Sequence, residues 1–252
     1  MAGAGVRDVG CWGGVMAQGA TSTRLRSGIQ SEAASGAPAA DGSRRWTTSL
    51  ASFDLLWVAV ALFAIGVVLR LSGITTQSLW TDDGFSLDYS SCDNITACFK
   101  NITSDHSSEQ FNILYFFILH LWRDEFGEST LSLRSLSIAF SILALPLIWS
   151  TAASLFDRSS AVWSLAFTAV SAFSIYYAHE IRSYALLLLV SSLQLWLLAR
   201  AREDGAGTYW KLLLAAASFI ASWSSIFCLL FTAAIAIGDL IARREWMRGL
   251  KW

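Results

Sequence analysis

The sequence has little proline and little charge: two prolines and 15 % charged residues in a chain of 252. A soluble domain carries about 25 % charged residues. With 54 % hydrophobic residues, twelve tryptophans and a mean hydropathy of +0.49, the balance excludes an ordinary soluble globule. It points to an integral membrane protein built from helices. The four cysteines include no Cys/His spacing typical of structural zinc. The first ~50 residues also lack the apolar core of a signal peptide. They are rich in Ala, Gly and Ser, with scattered arginines. Residues 1–53 read as a disordered cytoplasmic tail, and residues 54–252 as a membrane module. The net charge of −1 is uninformative as a total, and its distribution along the chain matters more.

What is present begins with Leu55–Leu69, a run continued by Leu71, Gly73 and Ile74 and interrupted by Arg70. About 20 apolar residues cross a bilayer core. Arg70 stands near the end of this span, where a long side chain can reach the headgroups. The tail before the span carries five arginines and three acids, and one lysine and six acids follow the span before the next apolar run. The positive-inside rule therefore places the tail in the cytoplasm and the acidic loop outside. Two N-glycosylation triplets, at Asn94 and Asn101, and the pair Cys92/Cys98 agree with an oxidising compartment. Six positions apart, the two cysteines are candidates for a disulfide.

Further apolar runs cover Phe111–Trp122, Leu133–Phe156, Ala161–Ala178, Tyr184–Ala199 and Trp210–Ile241. The last reads as two helices broken near "SWSS", Ser222–Ser225. If every run crosses, alternation puts Arg200 and Arg202 outside, against the charge rule. If the 12-residue run Phe111–Trp122 is re-entrant or interfacial, the rule holds throughout. The expected architecture is all-α, with six or seven membrane helices and an acidic first loop.

Three stretches carry candidate chemistry. "LWTDDGFS" holds Asp82 and Asp83 directly behind Trp80. Adjacent acids outside a membrane are usually only solvated. Here they stand a few residues past a span, and adjacent side chains point in different directions. They suit two jobs: one removes a proton from a nucleophile while the other orients it. "YYAHEIRSYALLLL" holds Glu180 and Arg182 between apolar runs. The pair reads either as interfacial charge or as an anion site, because the arginine fork matches phosphate oxygens. The stretch from Ser104 to Ser137 brings Asp105 and Glu109 ahead of an aromatic helix and Arg134 at the mouth of another span. His120 and His179 read as packed histidines.

A basic residue ending the first helix, then "SLWTDD", an acidic loop, "LYFFILHLW" with a later "FGES" and Arg134, and "YYAHEIRSYALLLL" come in an order that resembles a known family. It is that of the polytopic glycosyltransferases that use polyprenyl-phosphate sugars, among them protein O-mannosyltransferases and lipid A aminoarabinose transferases. The resemblance runs from about Arg70 to Arg248. It departs from the usual pattern in having Asp-Asp for Asp-Glu and in lacking "HPP" before the second apolar run. It implies a helical bundle of the GT-C type, here its N-terminal part. It also implies inverting transfer of a sugar from a dolichyl or undecaprenyl monophosphate to an acceptor at the extracytoplasmic face of a bacterial plasma membrane, or of the endoplasmic reticulum in a eukaryote. Asp82 and Asp83 then take the catalytic place. Arg70, Arg182 and Glu180 take the donor phosphate, and Trp80, Asp105, Glu109 and Arg134 the substrate. No ligand cluster demands a metal, and a divalent ion stays open. The expected partners are the lipid bilayer and the polyprenyl-phosphate donor, with the acceptor unassigned and no nucleic acid. Two other readings stand beside this one: a truncated or inactive homologue, and a non-enzymatic membrane protein or transporter fragment. The charges sit at helix ends rather than in mid-helix, which favours interfacial chemistry over transport.

Overall fold

A computed structural model describes residues 42–76, 78–104, 108–203 and 205–249. Most of the stretch assigned to a disordered tail therefore lies outside the described residues, as does Asp105. The described chain is all-helical, with α1 (Gly42–Leu71), α2 (Thr81–Ser90), α3 (Ile95–Ser104), α4 (Ile113–Phe126), α5 (Thr130–Leu155), α6 (Arg158–Val170), α7 (Ala172–Ala178), α8 (Tyr184–Ala201), α9 (Thr208–Ala221) and α10 (Ile226–Gly249). A 3-10 turn, Ser108–Phe111, precedes α4.

Among the described residues, three helices are long and apolar enough to cross a membrane: the Asp54–Leu71 part of α1, α5 and α8. The bent pair α6–α7 forms a fourth span if taken as one, and α9 and the Ile226–Ile241 part of α10 are shorter apolar helices. The break between α9 and α10 falls at Ser222–Ser225, as the sequence suggests. Many large apolar side chains face outward, among them Trp57, Val68, Phe167, Phe219 and Leu230. In water such a surface would aggregate, whereas lipid solvates it.

The short run before Trp122 becomes α4, and both its ends meet the same end of the bundle. Asn112, just ahead of it, accepts a hydrogen bond from Ser183 at the start of α8 (3.0 Å). Trp122 donates from its indole to the Ser132 carbonyl at the start of α5 (3.0 Å). The helix thus lies across the end of the bundle rather than through it. Leu56, Arg158 and Arg200 share a recess at the opposite end, so the apolar Asp54–Leu71 part of α1 begins and α8 finishes on one side. The basic residues Arg200 and Arg202 then share a side with the beginning of that apolar part, as the charge rule requires.

The acidic loop folds into α2 and α3, which pack with α4 over the bundle's end. Cys92 and Cys98 are joined in a disulfide that ties the end of α2 to α3, with Cα atoms 5.3 Å apart. His120 donates from Nδ1 to the Ser90 carbonyl (3.1 Å), and Arg123 donates to the Leu87 carbonyl (2.9 Å) and to Ser90 and Ser91. Arg123 also pairs with Glu128. Beneath them Tyr115, Phe116 and Leu119 of α4 form a buried cluster with Leu133, Leu136, Ile181 and Leu186.

Lower down, Gly66 of α1 stands close to α5 and α6. A Cβ there would stand 3.0 Å from Leu145 Cδ1 and 3.1 Å from Ala169 Cβ.

Candidate active site

Helix α2 begins right behind Trp80, and its first turn carries Asp82 and Asp83. A helix N-terminus leaves backbone N–H groups unpaired and favours negative charge, so two acids suit this place. They divide as adjacent helical positions must: Asp82 is exposed and Asp83 is 2 % exposed. The Asp83 carboxylate accepts from the Trp80 N–H through Oδ2 (3.1 Å), which closes the first turn. Through Oδ1 it accepts from the Ile181 N–H (2.9 Å), 98 positions along the chain. One buried side chain therefore ties "WTDD" to the "HEIR" turn between α7 and α8.

That tie brings Arg182 to α2. Its Nη1 donates to the Asp82 carbonyl (3.4 Å), and its guanidinium sits 6.0 Å from the centre of the Tyr184 ring. Glu180, half-buried in the same turn, has its carboxyl raised above the usual range, chiefly by burial. The Tyr176 hydroxyl lowers it, the Asp83 charge raises it and Arg182 lowers it. Asp82, Asp83, Glu180 and Arg182 thus form one cluster of three acids and one base at the bundle end. Trp80 takes part through its backbone; its ring is 64 % exposed.

Arg70 differs from the sequence expectation. Rather than reaching outward it turns inward and is fully buried. Its Nε donates to Ser141 Oγ (2.7 Å), Nη1 to the Gly66 and Ala169 carbonyls (both 3.0 Å), and Nη2 to the Thr168 carbonyl (3.0 Å) and Ser174 Oγ (2.7 Å). Thr168 and Ala169 belong to the last turn of α6, whose carbonyls have no partner within the helix and carry its negative dipole end. The chain bends by 55° there, and Ser171 caps α7. Arg70 fills the bend and satisfies what it exposes. All five guanidinium N–H donors are taken by the protein, so a donor phosphate would have to displace one of them.

Arg134 is also buried and is used structurally: Nη1 donates to the Ile74 carbonyl (2.7 Å) and Nη2 to the Ser78 carbonyl (3.2 Å). It holds the turn that leads from α1 to the acid pair. His179 donates from Nε2 to the Arg70 carbonyl (2.7 Å), capping α1. The backbone of Glu109 lies in the 3-10 turn, and its side chain falls outside what is described. Cys92, Cys98 and His120 place ligand atoms within 4.8 Å of one another, but the two sulfurs are bonded together.

Beside the cluster a recess of about 560 Å³ opens between α5, α6, α7 and α8, walled by Phe167, Phe173, Tyr177, Tyr184, Leu187 and Leu188. Two of its lining residues, Tyr177 and Tyr184, stack edge to face with centroids 4.5 Å apart. Ser141 and Ser174, both bonded to Arg70, also line it. The tyrosines were not singled out from the sequence; their pattern around "HEIR" (Tyr176, Tyr177, Tyr184) was the available signal.

A family model described as dolichyl-phosphate-mannose-protein mannosyltransferase matches residues 106–251, more than half of the chain. The chain belongs to this family. No curated protein and no solved structure matches it. The family points to a glycosyltransferase of the polyprenyl-phosphate mannose type in a membrane. The matched stretch contains Arg134, Glu180, Arg182 and all the residues that line the recess, whereas Arg70, Asp82 and Asp83 precede it. In this mannosyltransferase-family chain the Asp83–Ile181 hydrogen bond is thus a direct link between the matched stretch and the acid pair.

Proposed function

We propose that this chain transfers a sugar, with inversion, from a polyprenyl monophosphate to an acceptor hydroxyl at the extracytoplasmic membrane face. The observation that carries the reading is the Asp83 bridge, which sets exposed Asp82 and Arg182 side by side, with Arg182 against Tyr184 of an apolar recess. Asp82 is the general base. It takes the acceptor proton as the acceptor oxygen bonds to the sugar C1 and the bond from C1 to the phosphate oxygen breaks. Charge then grows on the departing polyprenyl phosphate, and Arg182 offsets it with its planar fork of donors. The carboxylates also favour the oxocarbenium character of the sugar. Asp83 is a positioning residue, because both its oxygens are bound to backbone. Arg70 and Arg134 likewise shape the site from behind. The recess walled by Phe167, Tyr184 and Leu188 takes the first isoprene units of the carrier.

The sidedness follows from charge. The basic end with Arg158, Arg200 and Arg202 is cytoplasmic, and the disulfide-bearing acidic end faces the oxidising side.

The test is transfer of labelled mannose from dolichyl- or undecaprenyl-phosphate mannose in membranes carrying the full chain. Asp82→Asn is expected to lower transfer by ~10²–10⁴-fold while the protein keeps its melting temperature. Wild-type rates in that variant overturn the role of Asp82. Retained binding of the lipid donor with no turnover by wild type would instead favour a second reading, a carrier-binding homologue. The observation behind that reading is that the family match begins after the acid pair.

A further inference from the structure

A second recess lies at the opposite end of the bundle, remote from Asp82. It has a volume of about 310 Å³ and is lined by Leu56 of α1, Trp149, Ser150 and Ser154 of α5, Arg158 of α6 and Arg200 of α8. Four helices that otherwise present apolar side chains outward converge there on two guanidinium groups and two hydroxyls.

The cations are under-used. Arg158 makes no hydrogen bond or ion pair with any described residue. Arg200 donates Nη1 to Glu203 Oε1 (2.9 Å) and leaves its buried Nε without an acceptor. Three acids are close in sequence: Asp54, Asp157 and Glu203. Asp157 is turned to its own helix, where Oδ1 accepts from the Ser160 N–H (2.6 Å). Glu203 occupies one edge of Arg200 only. Leu56 lines the recess, and Leu155 and Phe156 directly follow its Ser154 in the chain; all three are exposed, the last by 75 %. A basic pocket beside exposed apolar side chains, where the apolar part of α1, α5 and α8 end together, has the chemistry to hold a phosphate on a lipid.

We propose that this recess binds the phosphate of an anionic phospholipid headgroup in the leaflet opposite the acid pair, between Arg158 and Arg200 with the Ser150 and Ser154 hydroxyls as further donors. The acyl chains lie along Leu56, Leu155 and Phe156. The site is independent of the transfer reaction: it needs neither Asp82 nor the recess beside Tyr184.

The experiment uses the full chain in neutral detergent, with phosphatidylglycerol, phosphatidylcholine or inorganic phosphate added. Retained lipid is counted by native mass spectrometry and stabilisation read by melting. Wild type is expected to retain phosphatidylglycerol over phosphatidylcholine. Each arginine removed, Arg158→Gln or Arg200→Gln, should weaken retention roughly fivefold. Because Ser154 is exposed, Ser154→Asp tests the site without removing either cation and should act in the same direction. Equal retention of phosphatidylglycerol by wild type and all three variants overturns the site. Stabilisation by millimolar inorganic phosphate equal to that by the lipid overturns the lipid as ligand.

Discussion

Asp83 shows how much one buried carboxylate can organise. It joins two backbone N–H groups that lie 98 residues apart in sequence. An asparagine in its place offers one carbonyl oxygen, and its amide faces one of the two donors. Hydrogen bonds to a charged group contribute about 1.5–3 kcal/mol each. Asp83→Asn should therefore lower both melting temperature and transfer, whereas Asp82→Asn lowers transfer alone; parallel thermal and activity measurements separate the two. Glu180 gives a pH prediction. Its carboxyl is raised in the folded chain, chiefly by burial, so between the unfolded and folded values the unfolded chain binds fewer protons. Its contribution to stability is thus fully present below the unfolded value, about 4.3, and is lost as pH rises through the folded one. Melting curves across that window should fall with pH in wild type, and less steeply in Glu180→Gln. The division of labour within Asp82-Asp83 was legible at this scale, since adjacent side chains diverge. Which acid turns inward was not, because that depends on Ile181, which sequence does not bring near.

Helices meet in two ways in this bundle. At Gly66, α1 packs against α5 and α6 with no room for a side chain, since Leu145 and Ala169 already stand where one would go. Gly66→Leu should push the helices apart and cost about 1–3 kcal/mol, seen as a lower melting temperature in detergent. A few residues on, at the bend between α6 and α7, the contact is polar instead. Arg70→Met leaves the Gly66, Thr168 and Ala169 carbonyls and two hydroxyls without their donor. An unpaired buried polar group costs about 1–3 kcal/mol, so this substitution should be among the most destabilising in the chain, and the same melting assay ranks it against Gly66→Leu. Arg70→Lys should recover only part of the loss, because an ammonium has three donors where the guanidinium uses five. From the sequence Arg70 reads as a residue at a span end that reaches for headgroups. Its actual partners, Ser141, Thr168, Ala169 and Ser174, are 71–104 positions away. Nothing local distinguishes an arginine that snorkels from one that fills a helix break.

At the scale of the whole molecule, hydropathy located the apolar runs, and the interruption at Ser222–Ser225 located the turn between the last two helices, while the bend between α6 and α7 lies hidden inside the single run Ala161–Ala178. It left the path of the chain open, because a 12-residue apolar run has the length of neither a loop nor a span. Packing decides it: Asn112 and Trp122 meet the same end of the bundle, and α4 stays there. Single cysteines at exposed Thr81, Glu128 and Ser159 test the arrangement. An impermeant thiol reagent should label the first two from one side of sealed vesicles and the third only from the other; Thr81 labelled together with Ser159, with Glu128 on the other side, would mean that α4 crosses.

The filled helix break has one more effect. Satisfying the donors of a cation does not cancel its charge. Arg70 is surrounded by neutral carbonyl and hydroxyl dipoles and, among the described residues, has no acid as partner. Its unit of positive charge is held in a medium that screens poorly, where Coulomb forces reach farther than in water. Ser141 and Ser174, its ligands, form part of the wall of the recess beside Tyr184. An anion in that recess would feel Arg70 through the wall without touching it. The residue that locks the bend is thereby also a fixed electrode under the site.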